Sequence, residues 1–215
     1  MKKILLTLLI LNIFTMTTAS AVGIANPFKK EEKNKPEPVK VSLENENTTK
    51  QAMIYYVDND LENSLKLFLT VPEEERTSMN WFFIGNILQD QGKNSEAIFM
   101  YKNAIALDEK NYKAHYNLAN MYLDDEKANM AVAEYKKVIE IKPDNPYVHY
   151  NLGCAYVKLG ELRKAKNSFI YAIDLKNTEA DFHYNLAYVY KKLKNEKKAQ
   201  LYLGYYNQIL EQQLD

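Results

Sequence analysis

The sequence His-Tyr-Asn-Leu occurs three times, as HYNLAN at residues 115–120, HYNLGC at residues 149–154 and HYNLAY at residues 183–188. Successive copies are separated by 34 residues. Three evenly spaced histidines could be metal ligands, catalytic groups or parts of one structural unit that is copied along the chain. The residues around them decide between these possibilities.

The copied unit is much longer than these four residues. Four blocks of 34 residues align without gaps, at 78–111, 112–145, 146–179 and 180–213. In every block the eighth and twentieth positions are small, and the eleventh and twenty-fourth are large. The small residues are Gly85, Ala119, Gly153, Ala187, Ala97, Ala131, Ala165 and Ala199; the large ones are Leu88, Tyr122, Tyr156, Tyr190, Tyr101, Tyr135, Phe169 and Leu203. Helix axes approach to roughly 8 Å only where one partner lacks bulk, so each block predicts two amphipathic helices joined by a tight turn.

This pattern resembles the tetratricopeptide repeat family, whose motif is a helix-turn-helix of the same length. The matching residues of the first block are Trp81, Ile84, Gly85, Leu88, Ala97, Tyr101 and Ala104. The resemblance covers residues 78–213 and implies an all-α fold, a right-handed α-solenoid of stacked helix-turn-helix repeats. The chain departs from the motif at His115, His149 and His183, which occupy the place of Trp81, and it has the closing proline only at Pro143.

A weaker copy precedes the first block. Tyr55, Ser64 and Phe68 keep the internal offsets of the blocks, although Tyr55 lies one residue out of phase. We expect residues 45–77 to form a degenerate N-terminal repeat, because a terminal unit has one face in water. Residues 180–213 should in the same way be the C-terminal repeat or cap.

The first 44 residues have a different composition. Lys2 and Lys3 precede an apolar run from Ile4 to Phe14, and residues 19–21, Ala-Ser-Ala, have the small-x-small arrangement of a cleavage site. Residues 1–21 therefore predict a signal peptide and an exported protein, periplasmic or secreted, with no membrane span after cleavage. An uncleaved N-terminal membrane tether is the alternative, although the run is shorter than the roughly 20 residues that span a bilayer. Residues 22–44, rich in Lys, Glu, Asn and Pro, predict a flexible linker.

The balance of charge gives little support for nucleic-acid binding. The chain has 28 basic and 28 acidic residues, whereas a nucleic-acid-binding protein has a concentrated basic surface. The only cysteine, Cys154, cannot form an intramolecular disulfide and is interpreted as a small core or groove residue. The sequence has no phosphate loop, GxGxxG, GxSxG or CxxC motif in a meaningful setting. We therefore expect no enzyme activity and no cofactor.

The three histidines fit packing better than metal binding. Equivalent residues on successive repeats lie roughly 10 Å apart, whereas a metal–nitrogen bond is about 2.1 Å long. His115, His149 and His183 therefore cannot meet at one ion, and no metal site is predicted. Each imidazole is interpreted as replacing an aromatic packing residue between helices.

The resemblance also implies where a partner would bind. The fifth, sixth and ninth positions of each block would face the concave groove of the solenoid. The predicted peptide-binding residues are Phe82, Asn86, Tyr116, Asn117, Asn120, Tyr150, Asn151, Tyr184, Asn185 and Tyr188; Phe83 and Cys154 occupy the remaining positions of this set. Tyrosine offers a large contact area at low entropic cost, and a carboxamide can both donate to and accept from a peptide backbone. Packing and helix formation alone are the alternative explanation of the same pattern.

The last helix suggests a second surface. Ala199, Leu203, Tyr206 and Leu210 are expected to face inward, and Tyr202, Tyr205 and Ile209 to be partly exposed. An exposed apolar edge can mark self-association, although partial exposure on a capping helix is the alternative.

Three functions follow as hypotheses. The first is a non-enzymatic scaffold that binds a protein segment or peptide in its groove, within a cell-envelope or secretion assembly. The second is a structural adaptor that self-assembles through the last helix. The third is an accessory subunit that positions an enzyme partner.

Overall fold

Ten α-helices follow one another along residues 38–213, the part of the chain that the computed structural model describes. The helices are α1 (Leu43–Val57), α2 (Leu61–Thr70), α3 (Ser78–Asp90), α4 (Asn94–Leu107), α5 (Tyr112–Asp124), α6 (Ala128–Ile141), α7 (Pro146–Lys158), α8 (Leu162–Leu175), α9 (Ala180–Lys192) and α10 (Glu196–Gln212), with a short 3-10 helix (Glu73–Glu75) before α3. These residues contain no strand. The predicted all-α solenoid is confirmed: each helix packs against its neighbours in chain order, most extensively within the pairs α3–α4, α5–α6, α7–α8 and α9–α10.

Polar caps explain where the helices begin. The side chain of Thr77 accepts a hydrogen bond from the backbone N–H of Asn80 at the start of α3, and Asn111 accepts one from Ala114 at the start of α5. Asn145 caps α7, which has Pro146 in its first turn. These side chains satisfy backbone N–H groups that have no partner inside the helix.

The turn within each pair contains one residue in the left-handed region. It is Gly92 (φ 73°), Glu126 (φ 58°), Gly160 (φ 73°) and Lys194 (φ 61°) in the four blocks. Glycine adopts this conformation without steric penalty, which explains two of the turns. In the other two, side-chain-bearing residues accept the same backbone shape because the helices on both sides fix it.

The small positions allow the helices of a pair to approach closely. A Cβ atom built on Gly85 would lie 2.7 Å from Tyr101 Cε1, and one built on Gly153 would lie 2.6 Å from Phe169 Cε1. Tyr101 and Phe169 are fully buried. The large residue on the second helix therefore occupies the space that a side chain on the first helix would need.

The N-terminal pair α1–α2 packs against the first full block. The buried hydroxyl of Ser64 donates to the carbonyl of Ala52 at 2.8 Å, and Phe68 is fully buried. Helix α1 begins at Leu43, so the predicted linker (22–44) is too long at its C-terminal end. The helix begins there because the side chain of Ser42 caps α1. The backbone N–H of Ser42 also donates to Glu75 Oε2 at 2.7 Å. The predicted signal peptide (1–21) and residues 22–37 of the predicted linker lie outside the described residues.

The last helix departs in part from the expected burial. Ala199 is buried and Leu203 and Tyr206 are half-buried, as expected, but Leu210 is exposed, so its predicted inward orientation is wrong. Helix α10 has 17 residues, whereas α4, α6 and α8 have 14 each. No further repeat follows within the described residues, and the extra turn that carries Leu210 has no helix to pack against.

Candidate functional site: the concave groove

The aromatic side chains at the fifth position become more exposed along the chain. Phe82 is only 6% exposed, Tyr116 and Tyr150 are half-buried, and Tyr184 is 49% exposed. Phe82 contacts Phe83, with ring centroids 5.4 Å apart, and Phe83 packs against Tyr56 of the N-terminal pair at 4.8 Å. The N-terminal pair thus covers this end of the groove. The prediction that Phe82 contacts a peptide is therefore corrected: its ring belongs to the core.

The asparagines at the sixth position connect successive blocks by hydrogen bonds. Asn117 Nδ2 donates to Asn86 Oδ1 at 2.8 Å, and Asn151 Nδ2 donates to Asn120 Oδ1 at 3.1 Å. Asn185, in the last block, donates to the hydroxyl of Tyr150 at 2.9 Å. These amide N–H groups already have acceptors in the preceding block, so their first role is to hold the blocks together.

The asparagines at the ninth position are paired with a buried tyrosine at the twenty-fourth. Tyr101 donates to Asn86 Oδ1 at 2.9 Å, and Tyr135 donates to Asn120 Oδ1 at 2.6 Å. The other two blocks have Cys154 with Phe169, and Tyr188 with Leu203. The asparagine is therefore present only where a buried hydroxyl requires an acceptor, as expected for polar groups removed from water.

This network limits what the predicted ladder can offer a partner. The Oδ1 atoms of Asn86 and Asn120 accept hydrogen bonds from other residues of the protein. These two atoms were predicted to contact a peptide in the groove, but they stabilise the core instead. The Oδ1 atoms of Asn117, Asn151 and Asn185 have no partner among residues 38–213. The aligned blocks could have predicted the hydrogen bonds between positions nine and twenty-four, because asparagine occurs at position nine only where tyrosine occurs at position twenty-four.

The groove is most open at its C-terminal end. Tyr184 and Tyr188 are 49% and 41% exposed there, and together with Lys191 and Gln200 they line a hollow of about 220 Å³ between α9 and α10. The Nζ atom of Lys192 lies 5.4 Å from the centre of the Tyr188 ring. Of the predicted groove residues, Tyr184 and Tyr188 have the aromatic surface that is free to contact a partner.

Cys154 lies one turn after Tyr150 on α7 and is half-buried, with its side chain beside that of Tyr150. Burial raises the pKa of the Cys154 thiol to about 11. Because the thiolate is the nucleophilic form, this cysteine is poorly reactive at neutral pH. Its position agrees with the interpretation as a small groove residue.

The three histidines are buried between helices, as Trp81 is at the equivalent position, and the packing interpretation is confirmed. Each also donates a hydrogen bond from Nε2 to the backbone carbonyl six residues earlier, in the turn that precedes its own helix. The three pairs are His115 with Glu109 (3.2 Å), His149 with Pro143 (2.7 Å) and His183 with Asn177 (2.9 Å). This hydrogen bond fixes the turn between blocks. It was not predicted from the sequence, which indicated only that histidine takes the place of tryptophan.

Residues 38–213 contain no group of three or more His, Cys, Asp or Glu side chains arranged to hold a metal ion. Within the same residues, no helix combines the length and apolar character needed to cross a bilayer.

The stacked pairs and the groove define a class of protein, the all-α repeat scaffold. Models of the tetratricopeptide repeat match the chain at residues 85–125, 119–160, 146–179 and 180–204. These matches together span residues 85–204, more than half of the chain, so the chain belongs to the tetratricopeptide repeat family. Proteins of this family bind protein partners and are generally non-enzymatic.

Solved structures of the same architecture are similar to this chain. MamA MSR-1 is 21% identical, with a TM-score of 0.71, over 80% of this chain and 99% of that one. MamA from Desulfovibrio magneticus RS-1 is 17% identical, with a TM-score of 0.74, over 81% of this chain and 99% of that one. At these identities the likeness concerns the fold alone. The comparison with curated proteins gave no significant match.

Proposed function

We propose that this protein is a non-enzymatic scaffold that binds an extended segment of a protein partner in its groove, mainly through Tyr184 and Tyr188. The observation that carries the proposal is the exposure of these two rings beside free amide oxygens, in a family that binds proteins. Exposed tyrosines give a large contact area with little loss of side-chain freedom. The Oδ1 atoms of Asn151 and Asn185 are placed to accept backbone N–H groups of the bound segment.

We also propose that the protein is exported from the cytosol. The sequence of residues 1–21 supports export, and we propose that the mature protein works in a cell-envelope or secretion assembly. A mature N-terminus at Val22, found by sequencing the protein isolated from the cell envelope or the medium, would support export. Recovery of the whole chain in the cytosol would contradict it.

The groove proposal is tested by placing a photo-crosslinking amino acid at Tyr184, at Tyr188 and, as a control, at Phe99. Phe99 is 58% exposed but lies on α4, the second helix of its pair. We expect one partner segment to be captured from positions 184 and 188 and not from position 99. Equal capture from all three positions would contradict the proposal.

The identified segment then allows a quantitative measurement. Because aromatic anchors contribute more than about 1 kcal/mol each to typical interfaces, the double variant Tyr184→Ala, Tyr188→Ala should bind the segment at least tenfold more weakly. Phe99→Ala should bind it as the wild type does, since its side chain lies outside the groove. Isothermal titration calorimetry measures both affinities, and undiminished binding by the double variant would remove the groove from the proposal.

A second function, self-association through α10, is favoured by one observation. Leu201, Tyr205 and Leu210 are 51%, 42% and 37% exposed on this last helix, and clustered apolar exposure is typical of interaction surfaces. Light scattering over a concentration series should then show a mass that rises above that of the monomer. A monomer at high micromolar concentration would exclude this function.

A further inference from the structure

A second cavity lies on the other side of the last repeat. The three additional residues of α10 extend it beyond the length of the earlier second helices, and with the turn between α8 and α9 it frames a cleft of about 690 Å³. We call it the histidine cleft, because His183 lines it together with Asn177, Tyr202, Tyr205, Gln208 and Gln212. None of the predicted groove residues lines it.

His183 has a hydrogen-bonding atom without a partner. A carbonyl oxygen can only accept, so the bond of Nε2 to Asn177 places a proton on Nε2 and leaves Nδ1 as an acceptor. Nδ1 of His183 is buried and has no hydrogen-bond partner among the described residues. At the equivalent position, His115 Nδ1 lies 2.6 Å from Glu134 Oε2. Buried polar atoms normally have partners, so this one indicates a missing donor.

The difference between the blocks explains why Nδ1 is free. The residue that faces the histidine is Glu134 in the second block and Tyr202 in the fourth. The Tyr202 ring stacks against His183, with ring centroids 6.1 Å apart, and Tyr205 packs edge-on at 5.6 Å. Both tyrosines also line the histidine cleft, so the His183 ring, two aromatic rings and the amide side chains border one space, and Nδ1 lies buried beneath its surface.

The lining of the cleft restricts the kind of ligand. Among residues 38–213, none that lines it is an Asp, Glu, Lys or Arg, although 26% of the chain is charged. A charged ligand would have no counter-charge there, which is unfavourable for a partly buried ion. Amide side chains both donate and accept hydrogen bonds, and sugar hydroxyl groups do the same. Tyrosine rings present flat apolar faces that suit the C–H face of a pyranose.

We propose that the histidine cleft binds a neutral sugar: the exposed Tyr205 ring moves off His183 and packs against the sugar ring, one sugar hydroxyl group donates to the uncovered His183 Nδ1, and the amides of Gln208 and Gln212 contact other hydroxyl groups. The cleft volume falls within the range of roughly 300–1,000 Å³ that is common for small-molecule sites. This activity is separate from partner binding in the groove.

The test uses the full chain labelled with nitrogen-15 and titrated with maltose, cellobiose and N,N′-diacetylchitobiose. We expect saturable shifts of the Gln208 and Gln212 amide signals with at least one of these disaccharides. The variant His183→Phe keeps an aromatic ring and removes the acceptor, so it should bind at least tenfold more weakly. The matched control His149→Phe removes the equivalent imidazole one block earlier and should bind within twofold of the wild type.

Three results would overturn the proposal: no saturable binding of any of the three sugars, an equal loss of binding in both histidine variants, or saturation of the same signals by the tripeptide Ala-Gln-Ala without sugar binding. Circular dichroism reports whether His183→Phe folds. If it does not, Gln208→Ala decides, because Gln208 is exposed and its removal leaves the core intact. A sugar affinity unchanged in Gln208→Ala would then contradict the proposal.

Discussion

The hydroxyl group of Tyr135 and the amide oxygen of Asn120 are a matched pair inside the solenoid, 2.6 Å apart. Tyr135 is fully buried, so its hydroxyl has no access to water. The third block replaces the pair by Phe169 and Cys154 at the same positions. Comparing the two blocks therefore shows which residues have to change together.

The pair predicts a specific pattern of stability. Tyr135→Phe should lower the free energy of unfolding by about 1–2 kcal/mol, because Asn120 loses a buried donor. Adding Asn120→Cys recreates the third-block pair and should recover part of the loss. Urea unfolding measures both values.

The control for this pair is Tyr171→Phe. Tyr171 is exposed, and its hydroxyl has no hydrogen-bond partner among residues 38–213, so the change should stay within about 0.5 kcal/mol of the wild type. A double variant less stable than Tyr135→Phe alone would contradict the expected recovery.

Single-residue burial was only partly predictable from the sequence. The small and large positions of the blocks were predictable because every block repeats them. Phe82 was not, since its position in the block does not show that it packs against the rings of Phe83 and Tyr101. The hydrogen bonds of Asn86 and Asn120 were also missed, because a residue type does not show which of its atoms face the core.

Within a helix pair, the closest approach occurs at the glycines of the eighth position. Ala stabilises a helix interior by about 1 kcal/mol relative to Gly, so propensity alone favours Gly153→Ala. The new Cβ atom, however, would lie 2.6 Å from the buried Phe169 ring. We expect a net loss of about 1–3 kcal/mol, because overpacking forces the ring to move.

Gly204 provides the matched control for this prediction. It lies inside α10 and a Cβ atom there would have no neighbour within 4 Å. Gly204→Ala should therefore stabilise the protein by about 0.5–1 kcal/mol. Thermal unfolding compares the two variants, and stabilisation by Gly153→Ala would show that Phe169 can move aside easily.

The helices themselves were largely predictable, and some of their ends were not. Periodicity and caps such as Asn111 and Asn145 identify the start of α5 and α7. The left-handed conformation of Glu126 and Lys194 has no signal in residue type, because neither residue prefers it. The alignment of their turns with Gly92 and Gly160 is the evidence that could have predicted it.

Across the whole molecule, buried tyrosine hydroxyl groups and the Cys154 thiol predict a loss of stability at alkaline pH. Burial raises the pKa of Tyr101, Tyr135 and Tyr150, and raises that of the Cys154 thiol from 9.0 to about 11. A group with a raised folded pKa contributes stability that is fully present below its unfolded pKa and is lost as the pH rises towards its folded pKa. For Cys154 this window extends from about pH 9 to about pH 11.

We therefore expect the urea midpoint to be constant from neutral pH to about pH 9 and to fall above it. Cys154→Ala removes the thiol and should show a smaller decrease between pH 9 and pH 10 than the wild type. Equal slopes for the two proteins would indicate that the thiol ionises as easily in the folded state as in the unfolded state.

Each joint between neighbouring blocks uses the same two bonds, from a histidine ring to the turn before it and from an asparagine to the block before it. Neither bond depends on how many blocks the chain contains. A duplicate of residues 146–179, inserted after residue 179, would meet a ready acceptor for its histidine and for its asparagine. The protein is thus extensible by gene duplication, and its reach can lengthen one unit at a time while every existing joint is preserved.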